Sequence, residues 1–198
     1  DVSQVGDHVF SAHIASLQET RKLLLTDSLQ RAVRIIGAAR RIEVYGFGSS
    51  APIASDLGYR LLQIGREVKV VTDSHIQAVS AAMTDSSTAV ITISHSGSTI
   101  ETVLATKLAR EAGAHTIGIA CLGKSPLERH CEIVLHTIAN ETRYRPEAMS
   151  SRVAQLAIID TLVSCCALFD AKRSISKLEL SARVLAEKRH RQAGTVIK

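Results

Sequence analysis

Short apolar segments alternate with segments of helical period between residues 41 and 136. The apolar segments have the length and composition of β-strands, and Gly65 and Gly113 end two of the helical patterns between them. Such an alternation predicts a mainly parallel sheet with right-handed crossovers and helices on both faces, which is a doubly wound α/β fold. The expected strands are 41–46, 67–71, 89–93, 115–120 and 132–136.

Helical patterns also flank this alternating region. Residues 7–39 predict two helices, the first with an apolar face that runs through Phe10 and the second capped by Thr26 or Asp27. Residues 148–170 predict a long helix that is apolar on nearly every side. Such a helix needs neighbours on several sides, which the N-terminal helices or a partner subunit could supply.

No change in composition divides the chain, so we expect a single domain over residues 1–198. Inside the apolar helix, Arg152 and Asp160 are expected to pair with other charges, because an unpaired buried charge is costly. The expected parts of the domain are N-terminal helices in 1–39, the sheet and core helices in 40–170, and a basic C-terminal helix in 171–198.

The composition limits the classes of function. Aromatic residues make up 3% of the chain and Trp is absent, which argues against the stacking platforms of single-stranded nucleic acid binding. The net charge of +5 is concentrated in residues 171–198, which hold eight Lys or Arg and two Asp or Glu. This basic segment is either a solvated helix face or a surface for nucleic acid or an acidic partner.

The cysteines and the N-terminus indicate a cytoplasmic protein. None of the four cysteines forms a C-x-x-C pair or has a His at ligand spacing, so a reducing compartment and no metal site are expected. The N-terminal residues show no signal pattern, and no apolar stretch is expected to span a membrane. Since the first residue is Asp1 rather than Met, we expect the chain to be part of a longer protein.

Two turns rich in small and hydroxyl-bearing residues follow the first and third predicted strands. They are Gly46-Phe-Gly-Ser-Ser50 and Ser94-His-Ser-Gly-Ser-Thr99, and each opens a helix. A helix N-terminus presents free N–H groups and a partial positive charge, which suit an anion. Neither turn has the Lys of a nucleoside-triphosphate loop, and the first lacks the third Gly of a dinucleotide fingerprint. We therefore expect a small phosphorylated ligand and no cofactor, although Ser50 or Ser98 alone could be an ordinary helix cap.

With these two loops, the chain resembles a SIS (sugar isomerase) domain over about residues 27–170. Within that superfamily it is most similar to the C-terminal effector domain of RpiR-type transcription regulators. The stretches that carry the resemblance are Thr72-Asp-Ser-His-Ile-Gln77, Ser94 to Glu101, Ala109-Arg-Glu-Ala-Gly-Ala114, Ser125-Pro-Leu127 and Ser151-Arg-Val-Ala-Gln-Leu-Ala-Ile-Ile-Asp160.

The resemblance implies a flavodoxin-like sheet of five parallel strands, a sugar-phosphate effector and dimerisation through helices. By matching motif, Ser94, Ser96 and Thr99 would hold the phosphate, with Ser98 and the Gly97 amide nearby. The other residues that the resemblance assigns to the ligand are Ser49, Ser50, His75 and Glu147. Ser49 and Ser50 would bind the sugar or share the phosphate, while His75 and Glu147 would face the sugar.

We therefore expect a sensor of a phosphorylated sugar or amino sugar, a homodimer or higher homo-oligomer, with no membrane partner. It would meet operator DNA only through a helix-turn-helix domain that this chain does not include. The alternative is an aldose–ketose sugar-phosphate isomerase, with Glu147 as base and His75 or His95 as ring opener. Isomerases of the superfamily usually carry Glu where this loop has Ser98, which weakens that alternative. A third alternative is a domain that only dimerises, since a fold does not fix a function.

Overall fold

The computed structural model describes residues 1–139 and 149–188. The described residues form a five-stranded sheet in the order β2-β1-β3-β4-β5, and every neighbouring pair of strands is parallel. The predicted α/β fold with a flavodoxin-like strand order is thus confirmed. The strands are β1 Arg41–Gly46, β2 Val68–Val71, β3 Thr88–Ile93, β4 His115–Cys121 and β5 Ile133–Thr137.

The helices lie where the periodicity places them, with ends that shift by a few residues. Two short 3-10 helices, Gly48–Ser50 and Leu127–His130, follow β1 and β4. The α-helices are α1 Val2–Leu23, α2 Thr26–Ala38, α3 Ala51–Gln63, α4 Ser74–Ala82, α5 Ile100–Glu111, α6 Met149–Phe169 and α7 Ala171–Glu187.

One face of the sheet carries a large aliphatic core. Alternate residues of the strands, among them Val44, Ile91 and Ile119, point to this face and are completely buried. Helices α2, α3 and α6 cover the face with residues such as Leu57 and Leu162. With so few aromatic residues in the chain, this core is built from branched aliphatic side chains.

The opposite face carries α4 and α5 and is packed with smaller and more polar side chains. Its apolar cluster includes Tyr45, Val90 and Ala105, and Glu43 is buried beside it with 1% of its surface exposed. The side chain of Glu43 accepts hydrogen bonds from the Tyr45 hydroxyl at 2.8 Å and from the Ser80 hydroxyl at 2.6 Å. Polar contacts therefore hold α4 to the sheet.

Helix α6 corrects two expectations from the sequence. Its apolar segment Ser151–Phe169 has a mean hydropathy of 1.6 and is long enough, by length and composition, to cross a membrane, so the expectation that no stretch reaches that length is wrong. The helix packs on the sheet and on α1, α2 and α3 and contributes Ile158 to the core. Arg152 and Asp160 are exposed rather than buried, and Asp160 lies 3.4 Å from a guanidinium nitrogen of Arg60.

Helix α1 docks through hydroxyl groups rather than through the predicted apolar face. Phe10 is 72% exposed, whereas Ser16 and Thr20 are buried. Both hydroxyls donate to the backbone carbonyl of Ile138 just beyond β5, and Thr20 also accepts from the Ile138 amide at 2.9 Å. The expected cap of α2 is also wrong, because its N-cap is Leu25, which offers no side-chain acceptor.

Candidate functional site

The two hydroxyl-rich loops leave the sheet side by side. Strands β1 and β3 are neighbours although β2 lies between them in sequence, and Gly46 is in register with Ile93. The loops after these strands therefore start at adjacent positions on the carboxyl edge. This is the point where the strand order reverses, and ligands of open α/β sheets bind there.

In the first loop, glycine brings the backbone of β1 close to α3. A Cβ atom on Gly46 would lie 2.7 Å from the carbonyl oxygen of Ser50 and 2.8 Å from the Cβ of Ala54, so a larger residue would push α3 away. Gly48 adopts a φ of +56°, which turns the chain into the short 3-10 helix. The result places Ser49 at the surface and Ser50 in a buried position at the start of α3.

The second loop is stabilised by its own serines. The buried Ser94 hydroxyl accepts a hydrogen bond from the Gly97 amide at 3.2 Å, and the Ser96 hydroxyl accepts from the Ser98 amide at 3.2 Å. The Ser98 hydroxyl donates back to the Ser96 carbonyl at 3.1 Å. Ser98 is thus engaged within the loop, and Thr99 lies half-buried at the start of α5.

The helices that follow these loops begin without a side-chain cap. The N-cap residues are Ser50 for α3 and Thr99 for α5, and neither side chain caps its helix. Helix α4 differs, because the Asp73 carboxylate accepts from the Ile76 amide at 2.9 Å. Among the described residues, the hydroxyls of Ser49, Ser50 and Thr99 have no hydrogen-bond partner, so ordinary capping does not account for them.

The first amides of α5 are free to bind an anion. The first intrahelical bond of α5 runs from the Val103 amide to the Thr99 carbonyl at 3.0 Å. The preceding amides of the helix have no acceptor in the part of the chain that is described, which is the usual state of a helix start. Together with the hydroxyls of Ser96 and Thr99, these amides can donate to the oxygens of a phosphate.

Strand β4 and the loop after it support the second loop from the side. The Ser94 amide donates to the Ile119 carbonyl at 3.1 Å, and the Leu127 amide donates to the Gly97 carbonyl at 3.0 Å. Gly97 has a φ of +60°, and a Cβ atom there would lie 2.5 Å from the Ser125 hydroxyl. Position 97 therefore requires glycine for both conformation and space.

Two predicted site residues, His75 and Glu147, belong to neither hydroxyl-rich loop of the sequence. His75 is exposed in the first turn of α4 and makes no hydrogen bond to either loop. Its assignment to the sugar stays a prediction, as do those of the loop residues. Glu147 lies outside the described residues.

Gln77 is a structural element of the site that the sequence motifs do not predict. Its side-chain amide donates to the Gly46 carbonyl at 3.1 Å and to the Val71 carbonyl at 2.8 Å. It thereby joins the carboxyl ends of β1 and β2 beneath the first loop. The sequence indicates this role only through the position of Gln77, which lies two residues beyond His75 in a stretch that carries the family resemblance.

Other buried polar side chains near the carboxyl edge or on α6 also lack partners. Burial without a hydrogen bond is unusual for such groups, since nearly all buried polar atoms in proteins find a partner or an ordered water. Ser125, Ser151 and Gln155 lie in stretches that carry the family resemblance, but the sequence assigned none of them a role, because burial and a missing partner are properties of the folded chain. Those without a partner among the described residues include Thr102, Ser125, Ser151 and Gln155.

Two cysteine thiols, the half-buried one of Cys131 and the buried one of Cys166, are poor candidates for chemistry. Burial raises the pKa of Cys131 to about 12 and that of Cys166 to about 12. A thiol of such high pKa is not a nucleophile at neutral pH, because the thiolate is the reactive form. The chemistry that the site offers is hydrogen bonding from hydroxyls and amides to an anion.

Comparison with known proteins identifies the family of the chain. A family model described as the SIS domain matches residues 35–165. An uncharacterised HTH-type transcriptional regulator from Thermotoga maritima is 33% identical over 187 residues, which are 94% of this chain and 66% of that protein. The chain thus spans slightly less than two thirds of the length of this relative.

Solved structures share the fold over nearly the whole chain. Vibrio vulnificus NanR, complexed with ManNAc-6P, is 27% identical with a TM-score of 0.89, covering 96% of this chain and 73% of its own. The sugar isomerase domain of an RpiR transcription factor from Sphaerobacter thermophilus is 24% identical with a TM-score of 0.83, covering 91% and 99%. At 24% identity, the RpiR structure shows a likeness of fold alone. The same holds for two isomerase structures, which are 18% identical to this chain. The family model matches well over half of the residues, and the chain therefore belongs to the SIS domain family.

Proposed function

We propose that this domain is the ligand-sensing part of an RpiR-type transcription regulator and that its effector is a phosphorylated sugar or amino sugar. The observation that carries the proposal is the pair of adjacent loops in which the hydroxyls of Ser49, Ser50 and Thr99 and the first amides of α5 have no partner within the described chain. In this proposal Ser94, Ser96 and Thr99 bind the phosphate. Ser49, Ser50, His75 and Glu147 contact the sugar.

The similarity to regulators supports the sensor over the enzyme. The Thermotoga maritima relative is an HTH-type regulator, and the NanR structure is a complex with ManNAc-6P, a phosphorylated amino sugar. Ser98, at the position where isomerases of the superfamily usually carry Glu, donates its hydroxyl to its own loop rather than offering a carboxylate. In the whole protein, we propose, a helix-turn-helix domain attached to α1 reads the operator.

The same proposal includes a cytoplasmic homodimer and a route for the signal. Val2, Val5, Phe10 and Ile14 leave an apolar surface on α1 exposed, which a second copy could cover. Helix α1 is also joined to the sheet edge by the bonds of Ser16 and Thr20 to Ile138. A ligand that moves the carboxyl edge of the sheet would reorient α1 through these bonds.

A thermal-shift panel tests this function. Hexose, pentose, N-acetylhexosamine and aldonate phosphates are each compared with their unphosphorylated parents. A ligand at 100 times its dissociation constant stabilises by about 2.7 kcal/mol, and a domain of this size gains on the order of 2–4 °C per kcal/mol. We expect a shift for a phosphorylated sugar and none for its parent.

Two variants make the panel specific. Ser94→Ala should remove the shift, whereas Ser164→Ala, at an exposed position of α6, should keep it. No shift with any phosphate would refute the proposed site. Interconversion of an aldose and a ketose phosphate that Glu147→Gln abolishes would instead establish the isomerase.

A further inference from the structure

A cavity with polar side chains lies beside the second hydroxyl loop. It has a volume of about 410 Å³ and is lined by Lys124, Ser125, Pro126, Glu128 and Arg129. These residues belong to the segment that follows β4 and to the 3-10 helix Leu127–His130. A cavity of this size is within the range of small-molecule sites.

The cavity adjoins the proposed phosphate loop directly. The Ser125 side chain occupies the space next to Gly97, and the Leu127 amide donates to the Gly97 carbonyl at 3.0 Å. Strands β3 and β4 are also neighbours in the sheet, so the segments that follow them share the carboxyl edge. A ligand whose phosphate lies on the second loop can therefore extend into this cavity.

The polar side chains of the cavity have no partners among the described residues. Lys124 and Arg129 are exposed and form no ion pair there, in contrast to Lys107, which lies 3.7 Å from Glu111. The Ser125 hydroxyl and one carboxylate oxygen of Glu128 are buried without a hydrogen bond. Ser125 is 9% exposed, and a hydroxyl buried to that extent normally has a partner.

The charges of the cavity favour one kind of ligand group. Lys124 and Arg129 supply two positive charges and Glu128 one negative charge, which leaves a net positive charge of one. A carboxylate carries the complementary single negative charge and accepts paired hydrogen bonds from a guanidinium. The Glu128 carboxylate accepts hydrogen bonds, and the Ser125 hydroxyl both donates and accepts them. Both groups therefore suit the hydroxyl groups next to the carboxylate of a sugar acid.

We propose that this cavity is a carboxylate subsite and that the effector is a sugar phosphate with a second, carboxylate end, such as a phosphorylated aldonic or uronic acid. The inference rests on the proposed function, because the phosphate of the ligand must occupy the second loop. Lys124 and Arg129 bind the carboxylate. Glu128 and Ser125 bind the adjacent hydroxyls.

A matched pair of ligands isolates the carboxylate. Glucitol 6-phosphate and gluconate 6-phosphate are both open-chain molecules and differ only in the group at C1, which is CH₂OH in one and COO⁻ in the other. Calorimetric titration should give about tenfold or more tighter binding of gluconate 6-phosphate, since a hydrogen bond to a charged group is stronger than a neutral one. The same comparison is repeated with ribitol 5-phosphate and ribonate 5-phosphate.

Variants locate the effect. Lys124→Ala and Arg129→Ala should bring the ratio of the two affinities towards one, and Lys107→Ala, an exposed lysine on α5, should leave the ratio as in the wild type. Equal affinities for both members of each pair would overturn the carboxylate subsite and leave the proposed function standing. Binding of neither member, with no binding of any other sugar phosphate, would overturn the proposed function and this subsite together.

Discussion

The two faces of the sheet are built on different principles. The face under α2, α3 and α6 buries a continuous set of branched aliphatic side chains. The face under α4 and α5 has a smaller cluster with several alanines, and it buries Glu43, Gln77 and Ser80 in hydrogen-bonded positions. The first face contributes most of the hydrophobic stabilisation, whereas hydrogen bonds fix the position of α4 on the second.

Hydrogen bonds suit the second face because they are directional. Gln77 fixes α4 relative to the ends of β1 and β2, and Ser80 fixes it relative to Glu43. Lys69 donates to the Ser80 hydroxyl at 2.8 Å, and Arg41 lies 3.4 Å from the Glu43 carboxylate. Apolar packing alone would tolerate small sliding of the helix, whereas this network specifies a single position.

The largest difference between the faces is expected on neighbouring residues of β3. Ile91→Ala removes a fully buried side chain from the aliphatic face and should lower the free energy of unfolding by about 2–5 kcal/mol. Val90→Ala removes less apolar surface from the opposite face and should cost about 2 kcal/mol. Urea denaturation of both variants measures the two losses of stability. A loss in Val90→Ala that equals or exceeds the loss in Ile91→Ala would contradict the comparison.

The polar network should make the second face sensitive to an isosteric change. Glu43→Gln keeps the volume but removes the charge that accepts from Tyr45 and Ser80, so we expect a loss of about 1–3 kcal/mol. Chemical denaturation checks this value. As a control, Glu67→Gln at an exposed position before β2 should change the stability by less than about 0.5 kcal/mol.

The starts of α4 and α5 should respond differently to the loss of a polar group. Asp73→Ala removes a cap that is present and should cost about 1 kcal/mol of stability. Thr99→Val removes a hydroxyl that caps nothing and should change the stability by less than about 0.5 kcal/mol. Thr99→Val should instead weaken sugar-phosphate binding about tenfold. A loss of stability with unchanged affinity would show that Thr99 is only a helix cap.

The smallest expected effect is a pH dependence of the second face. Burial, and then the nearby Glu43 carboxylate, raise the pKa of Tyr45 well above its usual value of 10.0. Above pH 10 the unfolded chain loses this proton while the folded protein keeps it, so the stability falls as the pH rises. Near pH 10.5 this difference in protonation lowers the free energy of unfolding by about 0.8 kcal/mol. Tyr45→Phe should therefore show a shallower loss of stability between pH 9.5 and 10.5, and an identical slope would contradict the shift.

Most of the secondary structure could be read from the sequence because the periodicity is strong. The strand and helix positions between residues 41 and 137 agree to within a few residues, and Gly65 ends α3 with a φ of +83° as expected. The errors concern α1, whose predicted apolar face leaves Phe10 exposed, the cap of α2, and α6, which is longer in apolar residues than expected and leaves Asp160 exposed. Periodicity identifies a helix face, but it cannot say whether another element covers that face.

The two hydroxyl-rich loops are visible in the sequence, because small residues follow apolar strands there and Gly48 and Gly97 serve local turns. The packed fold places the loops side by side, since the β1–β3 pairing brings Gly46 opposite Ile93 across many intervening residues. It also decided the roles of Gln77 and Ser125, whose contacts lie 31 and 28 positions away at Gly46 and Gly97. Such contacts depend on strand order and burial, which are properties of the packed sheet and not of any local segment.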